Sequence, residues 1–138
     1  MTEKNLAGAF NENNAPFAKM MGVKMTHVAK DRLEGELVVT KDHCTVPDIL
    51  HGGAIMAFAD NMGGIGAFLN MQPGAMTTTI ESKTNFLRGI PIGQTAKAIT
   101  TPVNIGRTLQ AWKTDIFRED GKLAAVVTQT QLVKVQKD

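Results

Sequence analysis

Residues 50 to 68 read LHGGAIMAFADNMGGIGAF, and the fold turns on how they are read. Apolar and small side chains occupy every side of a 3.6-residue period. The stretch therefore predicts a long helix, His51 to Met71, closed by Gln72-Pro73-Gly74. A helix that is apolar all round is expected to be buried all round. Yet Asp60 stands in its middle. A lone carboxylate in such a place is costly unless it is paired, hydrogen-bonded or neutralised.

Outward from this helix the chain becomes strand-like on both sides. Upstream, VKMTHVAKD alternates, and RLEGELVVT sets Leu33, Gly35, Leu37 and Val39 on one side, Glu34, Glu36 and Thr40 on the other. Nothing long separates these two, so they predict a hairpin. A Pro-bearing loop, KDHCTVPDIL, leads into the helix. Downstream come MTTTIESKTNFL, GQTAKAITTPVN, RTLQAWKTDIFR and KLAAVVTQTQLVKV, broken at RGIPIG, IG and EDG. Glu119-Asp120-Gly121 is a hairpin signal. Short breaks imply mostly antiparallel neighbours. The expectation is an α+β fold with two strands, one helix and four strands. One apolar helix needs a sheet to cover it, and a curved antiparallel six-stranded sheet wrapped around one long central helix meets that need. Residues 1–20 read as a loosely ordered N-terminal segment with one short helix, APFAKMMG. The whole chain, 1–138, reads as a single domain.

Composition narrows the function classes. Apolar residues make up 43% of the 138, enough for one core. The formal net charge is +2 with basic residues scattered, which argues against a nucleic-acid face. No apolar signal core opens the sequence and no segment is long enough to span a bilayer, so the expected address is the cytoplasm. Cys44 is the only cysteine, and no zinc-type spacing links it to His27, His43 or His51. No metal or cofactor is expected. The GGIG run, Gly63 to Gly66, lies inside the helix and follows no strand. It reads as close packing against a neighbouring backbone rather than a phosphate loop.

Asp60 then has two readings. It lies at a subunit rim or caps a nearby backbone, or a cleft reaches it and its charge is used. The helix start adds to the second. In His51-Gly52-Gly53 the glycines admit a ligand close to the backbone, and free N–H groups at a helix N-terminus favour a developing oxyanion. The plainer reading is an ordinary loop-to-helix junction. Geometry adds a demand. Nine residues of helix are roughly 13 Å of rise, with His51 and Asp60 on nearly opposite sides. Gly52 and Asp60 of one chain cannot reach one carbonyl. Two helices packed antiparallel about a two-fold axis could, with Gly63, Gly64 and Gly66 permitting close approach. The residues thus suggest a symmetric homodimer with composite sites.

LHGGAIMAFADNMGG resembles the signature of hotdog-fold acyl-CoA thioesterases, the PaaI-like (phenylacetyl-CoA thioesterase-like) group. The resemblance runs on through TTTIESKTNFLRGIPIGQTAKA and NIGRTLQAWKTDIFREDGKLAAVVTQT, about residues 20 to 135. It implies hydrolysis of a hydrophobic or aryl acyl-CoA to free acid and CoA. Asp60 of the partner subunit would act as general base or nucleophile, and the Gly52 amide as oxyanion donor. His51 would help fix the loop and the bound carbonyl, Thr45 and Gly53 would contact the substrate, and Thr79 would help position the attacking water. Arg88 and Arg107 would meet coenzyme A phosphates, and the dimer would pair into a homotetramer. Many relatives have Asn six residues before the His; here it is Thr45, which lacks the amide's fixed donor and acceptor pair. Two other readings stand beside this one, an acyl-thioester hydratase or dehydratase and a non-catalytic acyl-CoA-binding module. A thioester is reactive enough that a Ser-His-Asp relay is not required. Cys44 reads as an idle thiol, Trp112 as sheet packing, and the methionines, Met56 and Met62 among them, as core filler or pocket lining.

Overall fold

The computed structural model describes residues 2–137. Along the chain come α1 (Glu3–Glu12), α2 (Pro16–Met21), β1 (Lys24–Val28) and β2 (Leu33–Val38). A short ribbon follows, β3 (Cys44–Thr45) and β4 (Ile49–Leu50), and leads into α3 (Gly52–Asn70). The rest is β5 (Ala75–Phe86), β6 (Thr95–Ile105), β7 (Leu109–Phe117) and β8 (Leu123–Val135). Six strands form one antiparallel sheet in the order β1-β2-β6-β7-β8-β5, and α3 packs across its inner face. The two strands, long helix and four strands expected are all present, with the small β3–β4 ribbon added.

Why the strands pair this way follows from their inward positions. On β6 these are Ala96, Ala98 and Thr100; on β7, Gln110, Trp112, Thr114 and Ile116; on β8, Ala125, Val127, Gln129 and Gln131. All are buried. Small alanines let the helix approach, and Phe58, Met62 and Ile55 of α3 join Leu33, Leu37 and Trp112 in one core. Trp112 is sheet packing as expected, its indole N–H donating to Gln110 Oε1 at 2.9 Å. The Glu119–Gly121 turn forms with Gly121 at φ 79°, and Arg118 N–H bonds Lys122 O at 3.0 Å.

Four expectations change. The first twenty residues are not a loose segment with one helix. Besides α2 they hold α1, capped by Thr2, with Ala7 buried and Leu6 and Phe10 packed on the core. The Asn11 side chain clasps Met25, donating to its carbonyl at 2.9 Å and accepting its N–H at 2.7 Å. Successive strands are not always neighbours. β5 pairs with β8, and the loop between β5 and β6 crosses the tip of α3, where Leu50 N–H bonds Ile90 O and Gly93 N–H bonds Val39 O. The helix is not buried all round. Met56 (39% exposed), Asp60 and Phe68 (55%) stand on an open face. Finally, Gly63 and Gly66 face the sheet rather than a second helix. A Cβ would come within 2.3 Å of the Gln129 amide at the first and 2.9 Å of the Trp112 ring at the second.

One irregularity shapes the site. The register of β5 on β8 shifts between Thr79 and Glu81. Ile80 and Glu81 are both exposed, and the inward residues change from Thr77 and Thr79 to Ser82 and Thr84.

Candidate active site

Asp60 sits midway along the open face of α3, and β5 and β8 reach up to it from below. Thr79 Oγ1 donates to Asp60 Oδ1 at 2.6 Å. Gln129 Nε2 approaches the same oxygen at 3.4 Å, passing beneath the helix where Gly63 lacks a side chain. Gln131 Nε2 donates to Thr79 Oγ1 at 2.6 Å, and Thr77 Oγ1 donates to Gln131 Oε1 at 3.1 Å. The carboxylate is thus held by an oriented polar network, as a charge beside a core must be. It opens into a cleft of about 560 Å³, lined by Gly64, Phe68, Thr79, Phe10, Asn13 and Asn14. Asp60 is thus reached by a cleft rather than sealed in the interior.

The helix tip is built separately. His51 is the N-cap of α3, with its Nδ1 accepting the Gly53 N–H at 2.8 Å and its own N–H bonding His43 O at 2.8 Å. The carbonyl of His51 takes the Ala54 and Ile55 N–H groups. The Gly53 amide is therefore spent on the cap. The Gly52 N–H has no hydrogen-bond acceptor among the described residues. A Cβ at Gly52 would lie a tight 3.1 Å from the Phe86 ring, so a side chain there would press on that ring. It lines a smaller cleft of about 290 Å³ with Ile55, Phe86, Leu87, Arg88 and Gly89.

Of the residues expected in the site, the fold brings together Asp60 with Thr79, His51 with Gly53, and Gly52 with Arg88. It does not bring these three groups to one point within a chain. From Gly52 to Asp60 the helix rises about 12 Å. Thr45 lies on the β3–β4 ribbon opposite Ile49. Arg88 stands at the end of β5, its guanidinium donating to Leu123 O at 2.8 Å. Arg107 is exposed on the β6–β7 turn, beside Gln72 and Thr108 and away from both clefts of this chain. Cys44 is half-buried and its thiol donates to Thr40 O at 3.3 Å.

Sequence reading missed Gln129 and Gln131. The signal was there. Counting by twos along β8 from Val127, the inward positions become amides just where the helix carries its carboxylate. Among the described residues no helix is long and apolar enough to cross a membrane.

Comparison with known proteins adds four findings. The family model described as the thioesterase superfamily matches residues 48–125, from the ribbon before α3 into β8. A putative esterase of Haemophilus influenzae is 33% identical over 109 residues, 77% of this chain and 76% of that protein. The 1,4-dihydroxy-2-naphthoyl-CoA hydrolase of Escherichia coli is 25% identical over 103 residues, 75% of each. Among solved structures, a thioesterase of Haemophilus influenzae superposes with a TM-score of 0.86 at 26% identity, covering 100% of this chain and 94% of that one.

Proposed function

This chain belongs to the thioesterase superfamily, and on that premise we propose that it hydrolyses the thioester of a hydrophobic or aryl acyl-CoA. As a thioester hydrolase of the hotdog fold, it has the Asp60–Thr79 pair as its base and the Gly52 amide as its oxyanion donor. The observation that carries this reading is an exposed carboxylate that, among the described residues, is hydrogen-bonded at one oxygen, on the same helix as an N-terminal N–H that those residues leave unspent.

The chemistry runs as follows. The Asp60 oxygen not engaged by Thr79 takes a proton from water as that water's oxygen attacks the carbonyl carbon. The carbonyl oxygen gains negative charge and is met by the Gly52 N–H. The intermediate collapses and the C–S bond breaks; the departing sulfur takes the proton back from Asp60 to become the coenzyme A thiol, the acid is released, and the carboxylate is regenerated. Direct attack by Asp60 would instead form an acyl anhydride that water opens. Label found in Asp60 after one turnover in ¹⁸O-water would identify the anhydride route, since direct attack by water on the thioester never places label there.

The roughly 12 Å between base and donor within one chain supports placing them on different subunits. A homodimer brings the Asp60 of one chain to the Gly52 of the other, and dimers pair into a tetramer. Two features favour a second copy here. The open face of α3 carries Met56 beside Asp60, and β5 is an edge strand of the sheet with Met76, Ile80 and Phe86 exposed. His51 holds the loop, and Thr45, Gly53, Arg88 and Arg107 are assigned to substrate contacts. The 1,4-dihydroxy-2-naphthoyl-CoA hydrolase relative makes aryl thioesters the first substrates to try.

The test is thiol release from a panel of aryl and alkyl acyl-CoA esters. Asp60→Asn is expected to lose about a hundredfold or more in turnover. Full activity in that variant would end this reading.

A further inference from the structure

We propose that Gln131 is a positioning residue for the hydrolytic step. It acts through Thr79 on Asp60, and so rests on the reading of Asp60 as the base. Three hydrogen bonds run in line: Thr77 Oγ1 to Gln131 Oε1, Gln131 Nε2 to Thr79 Oγ1, and Thr79 Oγ1 to Asp60 Oδ1.

The direction of this line is forced. An ionised carboxylate only accepts hydrogen bonds, and a Thr hydroxyl has one hydrogen to give. If the Gln131 amide were turned over, its oxygen would face Thr79. Two acceptors, that oxygen and Asp60, would then compete for the single Thr79 hydrogen, and one short contact would be repulsive. With Nε2 toward Thr79, each of the four side chains in this line, Thr77, Gln131, Thr79 and Asp60, has its partner. Thr77, donating to the amide oxygen, holds that orientation. The Thr79 hydrogen is thereby committed to Oδ1, and the carboxylate is aimed with Oδ2 left for water.

Burial makes the role a physical one. Gln131 is 1% exposed, and the network's other amide, Gln129, 2%. Buried amides on the inward face of a central strand are expensive unless satisfied. An apolar residue would fill the same place on β8, as Val127 and Val133 do on the same face. What the amide adds is the orientation of Thr79.

The experiment is a double-mutant cycle in the full-length enzyme, using the best substrate from the acyl-CoA panel. Gln131→Met keeps length and removes the donor. It is expected to lower kcat about tenfold and to leave KM within about twofold. Thr79→Val is expected to lower kcat by at least as much. In the Thr79→Val background, Gln131→Met should cost less than about twofold, because its effect passes through the missing hydroxyl. Thr77→Val, a milder change in the same line, should lower kcat a few-fold and should likewise be silent in that background. It serves as the second probe if Gln131→Met does not fold. Equal losses with and without Thr79 would overturn the proposal in favour of a packing role, as would an unchanged kcat in Gln131→Met. Neither result touches the base itself, which Asp60→Asn tests alone.

Discussion

The two faces of α3 are built on opposite terms. Toward the sheet, Gly63 and Gly66 are filled to contact by Gln129 and Trp112, and no atom can be added. Away from it, Gly64 would meet nothing within 4 Å on gaining a Cβ, and Met56 and Asp60 face outward. The glycine run is therefore two features interleaved. Two of the three let a helix settle on polar and aromatic side chains of its own sheet. The third keeps the other face flat beside the carboxylate. The closed face sets where Asp60 is held; the open face sets what can reach it.

Changes to each face test this contrast. Beyond the loss expected of Asp60→Asn, the largest effect should come from Gly63→Ala. Its methyl must displace the Gln129 amide, and the overpacking is expected to cost about 2 kcal/mol in urea unfolding, with a fall in turnover as Asp60 loses a donor. A variant as stable as the parent would show that the closed face is not closed. Gly64→Ala should act in the other sense. Within one chain the methyl has room and the helix gains about 1 kcal/mol from the better helix former. Against a second helix packed on this face it intrudes, so sedimentation is expected to show weaker association. Stronger association would break the composite site. The smallest change lies outside both faces. Burial pushes the Glu34 carboxyl up, but the hydrogen bond from Arg32 and the charge and hydrogen bond of Lys97 outweigh it and hold it below its ordinary range. A depressed carboxyl stabilises the fold above its unfolded pKa, and the benefit is lost as pH falls through the folded value. Glu34→Gln should therefore cost less than about 1 kcal/mol near neutrality, the scale of a surface pair. The gap between variant and parent should close in acid, as followed by thermal melts across pH.

Much of this was legible in the residues. The helix was read as His51 to Met71, and the structure makes His51 its N-cap and Met71 its C-cap. The six long strands fall where alternation placed them, because one face of each meets the core. Asp60 was legible as an anomaly, since a carboxylate among apolar neighbours is rare without cause. Other features were hidden for physical reasons. The stripe Leu6, Ala7, Phe10 is too short to stand out among Asn and Glu, and α1 owes its place to the clasp of Asn11 on Met25. Which face each glycine serves cannot be read from spacing alone, because Gly63 and Gly64 are adjacent in sequence yet differ by a third of a turn. The pairing of β5 with β8 rather than β6 depends on sheet closure, which loop length does not encode.

The skipped beat in β5 has one more consequence. A strand without it would turn either Thr77 and Thr79 or Ser82 and Thr84 outward, so the extra residue at position 80 works as a phase shifter between two halves of one ribbon. Deleting residue 80 would leave a regular ladder, because Thr79 already faces Gln131 and Glu81 already faces Thr130. Straightening the strand with every residue kept would instead turn one half inside out, its hydroxyls facing solvent and Lys83 or Met76 driven toward the interior. The kink at this point is therefore as much a part of the site as the side chains around it.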